Sequence, residues 1–212
     1  MICHILFDVG FFDPRLRTQS DRAPDARVQR AAEGDQAALV SLYREHFASV
    51  RSFAERLLGC SMAADDLVHE VFLSLPAALG RFRGQCALSS YLLSITVRRA
   101  RQHLRAAKRR RGLESRAAAT ASVAPANRPD LDSERRELAA RLSAALDELP
   151  LAQRAAFVLC EVEERSSVEA AEILGEKPGT VRARVFHAKR RLRERLAELV
   201  PEAAQAAAGG AR

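Results

Sequence analysis

The 212-residue chain has no Trp and only two Tyr, and aromatics make up 5 % of it. A core remains available from the 48 % hydrophobic residues, but it must be built from Leu, Val and Ala rather than from large rings. The four cysteines, Cys3, Cys60, Cys86 and Cys160, form no CxxC pair, and no His lies at zinc-finger spacing from any of them. They read as free thiols beside apolar runs, in a reducing and therefore cytoplasmic compartment. No apolar run approaches the roughly 20 residues that a membrane span needs, so no membrane insertion is expected. The apolar start MICHILFDVGFF has no Lys or Arg before Arg15 and is interrupted by Asp8, which argues against a signal peptide. Residues 1–30 read as a disordered leader or as the product of a misplaced start codon. A Gly-rich phosphate loop, HExxH and GxSxG are all missing, and the five His make no ligand spacing. The expectation is a chain with no catalytic site, no cofactor and no metal.

What is present is helical pattern and positive charge. Net charge is +7, which favours polyanionic partners. Apolar residues recur at steps of three and four through Leu42, Tyr43, Val50, Phe53 and Leu57, one face of a helix that Gly59 can end. DDLVHEVFLSL follows, with Leu67, Val68, Val71, Phe72 and Leu75 on one side. Asp65 and Asp66 are expected in its first turn, where carboxylates suit the helix dipole, and Pro76 limits the helix. RFRGQCALSS, residues 81–90, reads as a loop leading into a helix from about Ser89 to Ala107. That helix starts apolar at Leu92, Ile95 and Val97 and turns cationic: residues 98–111 hold eight Arg or Lys and no acid.

Residues 108–133 are rich in Ala, Ser and Pro without periodicity and read as a flexible linker. The fold class is therefore all-α, with two helical domains at 31–107 and 134–198 and a tail at 199–212. In the second domain, Ser166 and Glu169 have capping-box spacing, Gly175 can close a short helix, and Pro178 suits the first turn of the next. Short helix, tight turn and longer helix make a helix-turn-helix.

The last helix carries the densest charge. EKPGTVRARVFHAKRRLRERL, residues 176–196, has eight Lys or Arg against two Glu. Val181, Val185, Ala188, Leu192 and Leu196 form its buried stripe, leaving Arg182, Phe186, Lys189 and Arg193 on one outward face and Arg184, His187 and Arg191 on the next. A second helix of this motif enters the major groove N-terminal end first, where Arg can bond guanine at two points. A solvated charged face and a membrane surface are the competing readings. The first fits poorly because solvated faces mix signs, and the second because Val and Ala are small for a lipid-facing stripe.

The second half, LDELPLAQRAAFVLCEVEERSSVEAAEILGEKPGTVRARVFHAKRRLRERL, resembles region 4 of bacterial RNA polymerase sigma factors. The first half resembles region 2 through DDLVHEVF, FRG and LSSYLLSITVRRARQHLR. Their order, with a linker between, resembles the short extracytoplasmic-function group. The resemblance implies a non-enzymatic initiation factor. Its partners would be core RNA polymerase (the largest-subunit clamp and the flap), promoter DNA and an anti-sigma factor, in the cytoplasm at the nucleoid. It also implies roles by position. Asp65, Asp66, Leu67, Glu70 and Phe72 would bind polymerase, Leu67 and Phe72 being equally readable as core; the family's Gln is His69 here. Phe82, Arg83, Gln85, Ser89, Tyr91, Arg98, Arg101, Arg105 and Lys108 would meet the −10 element. Tyr91, where the family has Trp, reads chiefly as an anchor, and Arg98 and Arg99 stand near the family's Asn. Thr180, Arg182, Ala183, Arg184, Phe186, His187 and Arg190 would meet the −35 element, His187 replacing a frequent Arg. The alternative is a conventional helix-turn-helix regulator that binds duplex DNA as a dimer and without polymerase.

Overall fold

The structure is a computed structural model that describes residues 26–114 and 133–199. These belong to two compact units, and the described residues are helical apart from short turns and loops.

In the first unit, α1 is Ala26–Ala32. The leader expected through residue 30 therefore ends earlier: Ala31 is fully buried and Arg27 pairs with Glu45 at 2.7 Å, so this turn packs on the next helix. That helix, α2, spans Gln36–Leu58. Asp35 caps it by accepting the Ala37 and Ala38 amides at 2.9 and 3.2 Å, a contact worth about 1 kcal/mol. Gly59 ends it at φ 68°, a left-handed conformation that any Cβ would strain. Helix α3 is Ser61–Leu73, so Asp65 and Asp66 lie in its second turn, not the first, and away from the free amides of its N-terminus. Helix α4 is Leu75–Leu79, with Pro76 in its first turn.

Helix α5 runs Leu88–Glu114, seven residues beyond the expected end at Ala107, so the linker is shorter than its composition suggested. Arg and Lys are good helix formers and no Gly or Pro intervenes before Gly112, so the cationic segment continues the helix. Leu42, Val50, Phe53 and Leu57 meet Leu67, Val68, Val71, Leu92, Leu93 and Val97 in the core. Buried Thr96 is satisfied by donating to the Leu92 carbonyl at 2.9 Å.

In the second unit, α6 is Ser133–Asp147 and α7 is Leu151–Phe157. Instead of continuing as α-helix, the chain widens to a π-helical turn over Val158–Val162, with the Glu163 amide reaching the Val158 carbonyl at 2.9 Å. Nothing in the apolar spacing of LAQRAAFVLCEVE signals that widening. Helix α8 is Ser167–Leu174 and α9 is Pro178–Leu199. The expected cap at Ser166, closure at Gly175 (φ 66°) and start at Pro178 are all found. Val181, Ala188 and Leu192 are fully buried against α7 and α8, while Val185 and Leu196 are half-buried. Residues 115–132 of the expected linker, residues 1–25 and residues 200–212 lie outside the described part.

Candidate nucleic-acid interface

Helix α3 presents a mixed apolar and acidic surface. Leu67 is fully buried and belongs to the core, whereas Phe72 is half-buried and reaches a surface groove. Tyr43 stacks edge-on to Phe72 at 4.8 Å and lies 5.0 Å from Phe47. The three rings and Leu73 line an open groove with Asp65 and His69 at its rim. Tyr43, assigned to the buried stripe by periodicity, is exposed. It and Phe47 are groove residues that sequence reasoning missed. The available signal was their spacing of four, which puts two aromatics on one side of α2 beside the core stripe.

The acids differ among themselves. Asp65 is gripped by Arg51, with Nε and Nη2 at 2.6 and 3.3 Å, a tie between α2 and α3. That bond raises the Arg51 guanidinium above its usual value. Glu70 faces α5, with Oε2 3.4 Å from Arg99 Nη1 and Oε1 3.0 Å from His103 Nε2. Asp66 is exposed and has no ion-pair partner among the described residues.

The loop before α5 is built around Tyr91. Its hydroxyl donates to the Ala78 carbonyl at 3.1 Å, and its ring lies 4.9 Å from Phe82. Phe82 is thereby half-buried, while Arg83 and Gln85 are exposed on either side of Gly84, whose φ is 66°. Ser89 is half-buried in the first turn of α5. Along α5, Arg98, Arg101 and Arg105 form one stripe by steps of three and four. None has an acidic partner among the described residues, and Arg98 and Arg105 are exposed. Lys108 lies on the same helix, but its side chain is outside the described part.

Helix α9 has a different economy of charge. Arg184 Nη1 pairs with Glu176 at 3.1 Å, and Lys189 Nζ pairs at 2.6 Å with Glu161 of the π-helical turn. Arg195 pairs with Glu148 at the end of α6, and Arg190 lies 3.6 Å from Glu194 one turn on. Lys177, Arg182, Arg191 and Arg193 have no acidic partner among the described residues. Thr180 is half-buried; Arg182, Ala183, Phe186, His187 and Arg190 are exposed. Phe186 is 62 % exposed, a large apolar side chain in open water, with its ring 5.6 Å from His187.

Glu169 completes the cap of α8. Its carboxylate accepts from the Ser166 hydroxyl at 2.7 Å and amide at 2.9 Å, which holds its pKa below the usual carboxylate range. Below α8, Arg154 is nearly buried and bonds Asp147 at 2.7 Å. Burial lowers the Arg154 pKa and raises that of Asp147, and the pairing opposes both shifts. Both contacts secure the frame that presents α9.

Among the described residues no group of His, Cys, Asp and Glu could hold a metal ion, and no helix is long and apolar enough to cross a membrane. Cys60, Cys86 and Cys160 are half-buried and carry no disulfide among the described residues.

Comparison with known proteins agrees with this two-part organisation. Residues 42–110 match the Sigma-70 region 2 family, and residues 139–192 match Sigma-70, region 4. The chain is 35 % identical over 188 residues to the ECF RNA polymerase sigma factor SigE of Mycolicibacterium smegmatis, covering 83 % of this chain and 69 % of SigE. It is 31 % identical to the RNA polymerase sigma factor CarQ of Myxococcus xanthus, covering 84 % of this chain and all of CarQ. Among solved structures, the sigma factor RpoE of Bartonella quintana, in complex with the anti-sigma factor NepR, superposes with a TM-score of 0.56 at 27 % identity. That match covers 74 % of this chain and 94 % of RpoE. With both regions matched in order and relatives of this length and identity, the chain belongs to the ECF group of the sigma-70 family of RNA polymerase sigma factors.

Proposed function

We propose a division of work within a promoter-recognising sigma factor: α2 and α3 dock on core RNA polymerase, the Tyr91 loop and α5 engage the −10 element, and α9 reads the −35 element. One observation carries this residue-level reading. Two separate helices, α5 and α9, each present Arg side chains without acidic partners among the described residues, and α5 packs on a helix that also lines an aromatic groove. A dimeric regulator needs neither a second cationic helix nor that groove.

The chemistry is non-covalent. Phe72 with Tyr43 and Phe47 offers apolar area to a helical partner, and Asp66 offers an unpaired charge to a basic one. Strand opening exposes bases whose unstacking costs a few kcal/mol, offset by pocket contacts and a cationic surface. Arg83, Gln85 and Ser89 at the loop are the polar groups for a flipped base. Phe82 and Tyr91 form the wall behind them. Arg98, Arg101 and Arg105 bind phosphates, fixing register without reading sequence. On α9, Arg182 and His187 face base edges, and Phe186 supplies apolar contact of the kind thymine methyl groups offer.

A cognate anti-sigma factor would antagonise docking by covering the same surfaces, as a partner of the kind that RpoE binds. This chain catalyses no step; it supplies specificity and opening to an enzyme that does the chemistry.

The direct test is run-off transcription with purified core polymerase and a promoter selected by sequencing bound DNA. Specific transcripts are expected only when both proteins are present. Equal specific initiation by core polymerase alone, or tight duplex binding by the chain alone as a dimer, would overturn the reading.

A further inference from the structure

We propose that Arg99 and His103 form a second phosphate-contacting site on α5 that Glu70 masks in the free chain. The site takes the sugar–phosphate backbone of opened promoter DNA. It rests on the reading of α3 as the polymerase-docking surface, because docking is what draws Glu70 away.

The two residues are one helical turn apart, so they share a flank of α5. Arg99 follows Arg98 directly and lies about 100° around the helix from it. The flank therefore adjoins the stripe of Arg98, Arg101 and Arg105. Among the described residues those three have no acidic partner, whereas both flank residues converge on one carboxylate of α3, at 3.4 and 3.0 Å. Glu70 is thus the acid that subtracts charge from the DNA-facing helix.

Exposure decides whether that grip can be exchanged. The side chains of Arg99, Glu70 and His103 keep 35 %, 42 % and 28 % of their accessible surface. Contacts this wet are weak, and their partners can be replaced by a competing charge. A buried pair would be locked; this one is poised. A polymerase cation that takes Glu70 leaves Arg99 free to swing toward the strand beside Arg98. His103, facing the same carboxylate, loses the same tie. Docking on one face of the unit then strengthens DNA binding on another, and DNA bound first strengthens docking by the same factor.

The experiment uses the full chain and a labelled single-stranded oligonucleotide carrying the −10 sequence, read by fluorescence anisotropy across a salt series without polymerase. Glu70→Gln keeps side-chain size and removes the charge. It should tighten binding about three- to tenfold at low salt and steepen the log–log salt slope by about 0.7 per phosphate gained. Glu33→Gln, at an exposed acid of the same unit with no ion-pair partner among the described residues, should change binding less than about twofold, which controls for bulk charge. Adding Arg99→Ala and His103→Ala to Glu70→Gln should return binding to the parent level. In the complex with core polymerase, Arg99→Ala alone should reduce the slope by about 0.7, with no change in the free chain. Equal gains from Glu70→Gln and Glu33→Gln, or a gain that survives loss of Arg99 and His103, would overturn the masking. Affinity of Glu70→Gln for core polymerase is measured separately. Unchanged core affinity would overturn docking at Glu70 while leaving the polymerase-free DNA result to decide the masking.

Discussion

Helices α5 and α9 look alike as text and differ as surfaces. Each carries eight cations within its charged segment, residues 98–111 and 176–196. On α5 the stripe of Arg98, Arg101 and Arg105 has no acidic partner among the described residues, and only the flank is tied, through Glu70. On α9, Arg184, Lys189 and Arg195 are tied to acids outside the helix, and Arg190 to one within it. The difference follows from how each helix is held. The early part of α5 carries a broad apolar face, with Leu92, Leu93, Val97 and Ala100 buried. The described buried stripe of α9 is narrower, with Val181, Ala188 and Leu192, so ionic ties supplement it. Charge density therefore overstates the cations of α9 that stand without an acidic partner among the described residues.

The largest effect expected from breaking this comparison is on the support beneath α5. Leu67 is fully buried on α3, which packs against α5. Leu67→Ala should cost about 2–5 kcal/mol of stability, read by denaturant unfolding of the first unit's transition. Loss of polymerase affinity at unchanged stability would move Leu67 to the docking surface.

On the other side of the comparison stands Arg182. Arg182→Ala should cost about 1–3 kcal/mol on the preferred −35 sequence and flatten the preference at one or two positions. Competition of holoenzyme binding against a panel of −35 variants measures it; equal losses on every variant would make Arg182 a phosphate contact.

A smaller effect is expected at the cap that positions α8. Ser166→Ala should cost about 1 kcal/mol at neutral pH. The folded Glu169 pKa is depressed by Ser166, so its contribution is present above the unfolded carboxylate value and lost as pH falls through the lower folded value. The stability gap between Ser166→Ala and the parent should therefore shrink on acidification through and below the usual carboxylate range. A gap constant with pH would show that the Glu169 carboxylate contributes nothing through Ser166.

Much of the frame was legible because local rules and packing agree there. The helix stop at Gly59, the Ser166–Glu169 cap, Gly175 and Pro178 each combine a required backbone conformation with a residue that favours it. What escaped depended on partners distant in sequence. Tyr43 fits a core period within one turn, yet it turns to Phe72, 29 positions away. Glu70 reads as a docking acid, but nothing local in the sequence shows that α5 brings Arg99 and His103 beside it. Arg184 sits on the outward side by count and is claimed by Glu176 across the turn. The π-helical turn carries Glu161 to Lys189, and no spacing in the sequence signals either. At the site, then, residue types and helix faces were readable, while the division between tied and untied cations was not.

That division is most directly measured by the salt dependence of holoenzyme binding to a promoter fragment. Arg193→Ala should reduce the log–log slope by about 0.9 and Arg105→Ala by about 0.7–0.9. Lys189→Ala and Arg184→Ala should leave the slope unchanged, while Lys189→Ala lowers thermal stability slightly. Equal reductions from the tied and untied groups would contradict the account.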